Sequence, residues 1–224
     1  MKAIILDFLS KPMSFNVNKM FNIICENKNK YIEIMTTLEN EFINTKRGFK
    51  IYSDGVLEKE DTSFLYISNS FSLSLNSKKN LNALYKILKN RYYLEFKNDF
   101  IQINNKLEEI IKEISIDFDI NLNANAEVKL DDLFKIASIE FSEDYTSYFE
   151  KLIKFIKISN ELEKIDVVFI KNVHSYLNDD EIIQLINEFK YLNIMIINIE
   201  FAQYFKSSDF EVNYIIDKDL CEIY

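Results

Sequence analysis

Tryptophan is absent from this chain, and glycine, proline, cysteine and histidine nearly so: two, one, two and one in 224 residues. The shortage of glycine excludes the most. Phosphate-binding loops that work by close backbone approach need several glycines at fixed spacing. With only Gly48 and Gly55, neither a Walker-type loop nor a dinucleotide-binding turn can be written anywhere in the chain. Nucleotide hydrolysis by those routes is not expected. Cys25 and Cys221 are too few for a disulfide framework; each lies in or beside an apolar run and reads as a buried, reduced thiol. No apolar run is long enough to span a bilayer and no cationic, then apolar leader opens the chain, so a soluble, cytoplasmic protein is expected. His174 has no second histidine, reactive cysteine or nucleophile motif near it. It reads as a surface or partly packed residue, outside any triad or zinc site.

What is abundant is apolar and acidic. Hydrophobic residues make up 48% of the chain, enough for a sizeable core, and the formal charge is −9. That total argues against a generally basic nucleic-acid binder, but the charge is unevenly placed. From Ser77 to Lys97 six basic residues (Lys78, Lys79, Lys86, Lys89, Arg91, Lys97) face one acid, Glu95. From Asp117 to Glu150 nine acids face Lys129 and Lys135.

The strongest fold signal is near the C-terminus. Ile165–Ile170 and Ile194–Ile199 are β-branched runs without alternation, as in strands buried on both faces. Between them, Ile182, Leu185, Ile186, Phe189 and Leu192 recur at helical spacing, and Asn178 with Glu181 forms a capping box. This is a βαβ unit with parallel strands. Earlier runs at Ala3–Phe8, Phe21–Cys25, Phe49–Tyr52 and Phe64–Ile67 read as further strands, with a possible edge strand at Phe15 and Val17. A helix carrying Tyr31, Ile34, Met35, Leu38 and Phe42 follows the second run, and Val212–Ile216 and Cys221–Tyr224 read as two edge strands. The expectation is an α/β fold: a head of residues 1–70 and 163–224 with a mainly parallel sheet, interrupted by a helical insertion over 71–162. The strand Phe21–Cys25, its polar turn and the following helix keep the order of nucleotide-binding α/β proteins without the glycines of their phosphate loop, so a nucleotide-binding-like but degenerate fold is expected.

Two polar groups could touch nucleic acid. On a helix running from Lys78 to Lys97, Lys79, Lys86 and Lys97 fall within about 20° of one another, opposite Leu81, Leu84, Leu88 and Tyr92. Lys89 flanks them. The stripe is about 27 Å long at ~1.5 Å per residue, enough to follow several phosphates of a duplex. A solvated face opposite a packed one has the same pattern. The turn Asn27–Lys30, with Lys28 and Lys30, stands where a phosphate loop would sit; it reads either as a relic anion site or as an ordinary polar turn.

The connector from Asp117 to Asp132 supplies Asp117, Asp119, Asn121, Asn123, Asn125, Glu127, Asp131 and Asp132. Those oxygens suit calcium, which takes about six to eight in irregular geometry. It is no EF-hand, since the central glycine and terminal glutamate are missing. A solvated edge with a helix cap at Asp131 is the plainer alternative. A metal-dependent nuclease using the same cluster, and a purely structural scaffold, are the rival functions.

Several stretches resemble a known family. Ile165–Ile170, Leu177-Asn-Asp-Asp-Glu-Ile182, Leu192-Asn-Ile-Met-Ile-Ile197 and Leu130-Asp-Asp-Leu-Phe-Lys135 are similar to segments of the type II-A CRISPR-associated spacer-acquisition proteins, which form rings around DNA ends. The resemblance implies a head-and-leg protomer and a homotetrameric ring holding double-stranded DNA. It also implies no catalysis, and service to the CRISPR integrase proteins and effector nuclease. Calcium held by acids near the leg would support assembly. By position, Asp119, Asp132 and Glu127 fall where the family has acids, whereas Asn121 and Asn123 replace carboxylates. Asp117, Asp119, Glu127 and Asp132 are the metal candidates; Lys28, Lys30, Lys79, Lys86, Lys89 and Lys97 are the DNA candidates.

Overall fold

The computed structural model describes residues 2–6, 8–10, 12–15, 18–44, 49–53, 56–57, 63–117, 128–203 and 206–223. They form two compact units: Met1–Leu73 with Tyr145–Tyr224, and Ser74–Asp144. The first unit holds strands β1 (Lys2–Leu6), β2 (Met13–Phe15) and β3 (Met20–Cys25), helix α1 (Lys28–Asn44), and strands β4 (Phe49–Ser53), β5 (Val56–Leu57) and β6 (Phe64–Ile67). The second unit holds helices α2 (Lys78–Tyr92), α3 (Lys97–Asp117) and α4 (Leu130–Ile136). The chain then returns to the first unit with α5 (Tyr148–Glu163), β7 (Val167–Lys171), α6 (Asp179–Leu192), β8 (Met195–Glu200), β9 (Glu211–Ile216) and β10 (Glu222–Ile223).

Among the described residues the central sheet has the order β10-β9-β3-β8-β7-β6. All its neighbours pair in parallel except β10 on β9. The βαβ unit is present as β7-α6-β8, and its capping box is complete: Glu181 N–H donates to the Asn178 side chain, and Asn178 N–H to the Glu181 carboxylate, both at 3.0 Å. Three expectations change. The N-terminal strands do not join this sheet but make a separate antiparallel one, β2-β1-β4-β5. Strand β9 is no edge strand; it lies between β3 and β10, leaving β10 at the edge. The helical insertion is also shorter than 71–162. Helix α5 belongs to the first unit, where Leu152 and Ile156 pack with Val168, Ile170 and Ile186.

Strand parity sorts the first unit into layers. Phe21, Ile23, Cys25, Val167, Phe169, Ile197, Ile199, Tyr214 and Ile216 face one way, against Ile34 and Leu38 of α1 and Ile4 and Leu6 of the small sheet. Met20, Val168, Ile170, Ile194 and Ile196 face the other way, against α5 and α6. Burial on both faces explains the unalternating apolar runs.

With so few glycines, left-handed positions fall to other residues. Asn193 ends α6 at φ 55°, a conformation asparagine tolerates, but Lys164 ends α5 at φ 50°. Lys164→Gly is expected to raise unfolding free energy by ~0.5–1 kcal/mol, read from urea denaturation. A loss of stability would mean that the lysine side chain matters more than the backbone strain.

Candidate functional sites

The β3–α1 turn is where a nucleotide phosphate would lie in a related fold. Here the chain fills it. The Asn27 carboxamide oxygen accepts from the N–H groups of Asn29 and Lys30, both at 3.1 Å, while its Nδ2 donates to the Lys218 carbonyl at 3.0 Å. Two helix-start donors that could hold an anion are thereby occupied. The Lys30 ammonium pairs with Glu33 at 2.7 Å, and Lys28 is exposed at the first position of α1. The turn is a capped helix start, with Lys30 held by an acid of its own helix.

In the second unit, Ser77 caps α2 by accepting from Asn80 N–H at 3.2 Å. Leu81, Leu84, Tyr85 and Leu88 lie on its packed side. Tyr85 is buried, donates to the Ile139 carbonyl at 3.0 Å and holds its ring 5.6 Å from that of Phe134 of α4, tilted by 45°. That leaves Lys79, Asn82, Lys86 and Asn90 together on an exposed face. Lys89 is turned toward α4, where Asp131 stands 3.6 Å from its ammonium. The expected single helix to Lys97 does not form: α2 ends at Tyr92, and Lys97 opens α3. Helical hydrogen bonds still bridge the break, from Tyr93 N–H to the Lys89 carbonyl, Phe96 to Tyr92 and Phe100 to Phe96. They preserve the periodicity and hide the break in the sequence. The 27 Å stripe therefore shortens to Lys79 and Lys86 on one helix, with Lys97 on the next.

Of the metal candidates, Asp119 and Glu127 lie outside the described residues, as do Asn121, Asn123 and Asn125. Asp117 is the last residue of α3. Asp132 faces Lys135 at 3.3 Å. Asp131 is not the cap of α4; it sits in the first turn, behind Lys129 at the N-cap. Among the described residues no group of three His, Cys, Asp or Glu side chains is placed to hold a metal. Cys221 is exposed, against the expectation of burial, because it precedes the two-residue edge strand β10; Cys25 is buried as expected.

The most developed polar constellation gathers around His174. His174, in a 3-10 turn after β7, is not a surface residue: its side chain is 4% exposed. Its Nδ1 lies 3.0 Å from Glu200 Oε1 and its Nε2 2.7 Å from Glu211 Oε1, with those carboxylates 0% and 2% exposed. Asn198 Nδ2 donates to Glu200 Oε1 at 3.0 Å and to Asn22 Oδ1 at 2.9 Å. Asn22 Nδ2 donates to Glu211 Oε1 at 2.9 Å, and Ser208 gives Glu211 Oε2 its N–H at 2.7 Å and its hydroxyl at 2.9 Å. Burial alone would lower the His174 pKa; the two carboxylates outweigh it and hold it at about 9. Burial alone would raise that of Glu211; the bonds from His174, Ser208 and Asn22 outweigh it and hold it at about 2. The ring is thus an imidazolium donating from both nitrogens. Those nitrogens point at different carboxylates and cannot converge on one ion.

The cluster has a topological cause. β8 and β9 are both parallel to β3, which lies between them, so the chain crosses β3 in residues 201–210, whose described residues 201–203 and 206–210 form no helix. Irregular backbone over a sheet brings polar groups that must be satisfied. Asn22, Asn198, Glu211 and Asn213 stand under it on the same sheet face, and Ser207 and Ser208 in the crossing segment bond to Asn213 and Glu211. The signal in the sequence was asparagine inside two apolar strands, at Phe21-Asn22-Ile23 and Ile197-Asn198-Ile199. This constellation is a latch that ties the crossing segment and the turn after β7 to the sheet.

Comparison with known proteins adds identity. A family model described as CRISPR-associated protein (Cas_Csn2) matches residues 42–220. The chain is 23% identical over 172 residues to the CRISPR-associated protein Csn2 of Streptococcus agalactiae, with 76% of each chain covered. Among solved structures it is similar to a putative ABC transporter ATP-binding protein from Pyrococcus furiosus, at 13% identity, 95% and 97% coverage and a TM-score of 0.39. No helix among the described residues is long and apolar enough to cross a membrane. With a family model spanning most of its length, the chain belongs to the Cas_Csn2 family of CRISPR-associated proteins.

Proposed function

We propose that this protein is a cytoplasmic, non-enzymatic binder of double-stranded DNA ends that assembles as a homotetrameric ring. It acts in CRISPR spacer acquisition beside the integrase proteins and effector nuclease. The observation that carries the reading is α2. Its fifteen residues hold Lys78, Lys79, Lys86, Lys89 and Arg91 and no acid, and Lys79 and Lys86 share an exposed face. Such a face suits phosphates without reading bases. The acidic total of the chain is no obstacle when the cations are gathered on one helix.

Assembly is supported by α3. Ile103, Leu107, Ile110 and Ile114 follow one another at spacings of four, three and four, the repeat of a coiled-coil seam. Three of them are exposed by 43%, 42% and 44%, an apolar row that a partner helix would cover. Calcium at the acidic connector belongs to the same proposal, with Asp117, Asp119, Glu127 and Asp132 as its ligands. Lys135 would have to leave Asp132 for the ion to bind.

The test uses the full chain with fluorescent linear duplex, at two salt concentrations, with linear or closed-circular DNA as competitor. Binding should weaken at least tenfold from about 50 to 200 mM salt, and only linear competitor should displace the probe. Affinity that ignores salt, or equal competition by closed circles, sinks the reading.

A further inference from the structure

At the α2–α3 junction the second unit contains a cavity of about 440 Å³, bounded by Lys89, Asn90, Tyr93, Phe100, Lys129 and Leu130 among others. That size lies within the range of small-ligand pockets, roughly 300–1,000 Å³. We infer that it is a stacking site for one unpaired nucleotide, so that frayed or overhanging DNA ends are held more tightly than blunt ones. The inference rests on the DNA-binding reading above and gives that interface a terminus.

The lining has the chemistry of a nucleotide. Tyr93 and Phe100 offer ring faces, on which any base can stack. Asn90 brings a carboxamide that can meet a base edge, and Lys89 and Lys129 bring ammonium groups for the phosphate. Lys89 already has Asp131 at 3.6 Å, so the exposed Lys129 is the main phosphate partner. An apolar side chain from a second copy would fit worse, because it would leave two ammonium groups and a carboxamide facing a surface that bonds to none of them.

Two further features favour this occupant. Asn90 is the last member of the exposed face that carries Lys79 and Lys86, so a strand tracking those lysines arrives at the cavity. The wall opposite α2 is fixed: Val128 N–H donates to Asn104 Oδ1 at 2.9 Å, and Asn104 Nδ2 returns a bond to the Val128 carbonyl at 3.4 Å. Tyr93 and Leu94 are 40% and 83% exposed beside it, apolar surface that a stacked base would cover.

The experiment compares blunt duplex with duplex bearing one unpaired 2-aminopurine nucleotide at its end, using the full chain. Overhanging ends should bind about tenfold more tightly than blunt ones, as one stacked base allows, and the 2-aminopurine emission should be quenched. Tyr93→Leu should abolish both effects while blunt-end affinity stays within about twofold, and Tyr93→Phe should retain them. Lys129→Gln, at an exposed position, should remove the preference without altering the fold. Equal affinity for blunt and overhanging ends overturns the inference. So does a change in oligomeric size with Tyr93→Leu while the overhang preference persists, which would make the cavity a contact between copies. If duplex fails to bind in any form but a short single strand carrying 2-aminopurine is still quenched in a Tyr93-dependent way, the DNA-end reading fails and the stacking site stands.

Discussion

His174→Ala is expected to lower the free energy of unfolding by ~3–5 kcal/mol, the cost of removing one partner from a buried ionic cluster. The substitution leaves Glu200 and Glu211 buried with their shared cation gone. Much of the loss therefore comes from uncompensated charge. Adding Glu211→Gln to His174→Ala should recover part of it, since one of the two stranded charges disappears. Urea denaturation with a common slope reads both variants. A single-variant loss below about 1 kcal/mol would show that the cluster carries no such weight.

The same cluster sets a pH dependence with a definite sign. His174 titrates near 9 in the folded chain against an ordinary value of 6.5. Its contribution to stability is fully present below pH 6.5 and is lost as pH rises through 9. Glu211 titrates near 2 against an ordinary 4.5, so its contribution is present above pH 4.5 and is lost as pH falls through 2. Both are complete from about pH 4.5 to 6.5. In His174→Ala the alkaline limb due to this residue should vanish, and a variant that keeps it would locate the titration elsewhere.

Reversing charge on α2 should have the largest effect on binding. Lys79→Glu with Lys86→Glu is expected to weaken duplex affinity roughly 10- to 100-fold at low salt and to flatten the salt slope by about two contacts' worth, ~1.8. Both side chains are exposed, so stability should change by no more than about 0.5 kcal/mol. The matched control is Lys190→Glu, an exposed lysine in the last turn of α6. If it weakens binding as much per charge, the effect is one of net charge and α2 is no interface. Sizing should show the same assembly for wild type and double variant, because the seam proposed on α3 is untouched.

The parts of the fold legible in the sequence were those where one local signal decided the matter. The β7-α6-β8 unit combined β-branched runs, a helical apolar period and a capping box, and all three agreed. The small sheet was not separable, because runs such as Ala3–Phe8 and Phe21–Cys25 look alike and only long-range pairing sends them to different sheets. The end of α2 escaped notice because no glycine or proline marks it. At the sites, the exposed face of α2 was readable from a helical wheel, whereas the latch was not. His174, Glu200, Glu211, Asn22 and Asn198 come from four separate segments, and only the parallel sheet brings them together.

The crossing from β8 to β9 has a consequence for how the protein fails. β3 lies between β8 and β9, and β9 is held by its ladder, by Tyr214 and Ile216 beneath one face, and by the latch on the other. If β9 and β10 peel away together, β3 becomes an edge, with an apolar row of Phe21, Ile23 and Cys25 and unpaired N–H groups along its length. Such an edge is a template for pairing with another chain. The imidazolium that closes the latch therefore also protects one of the two central strands of the sheet from aggregation, and loss of His174 should appear in concentrated samples as precipitation before global unfolding.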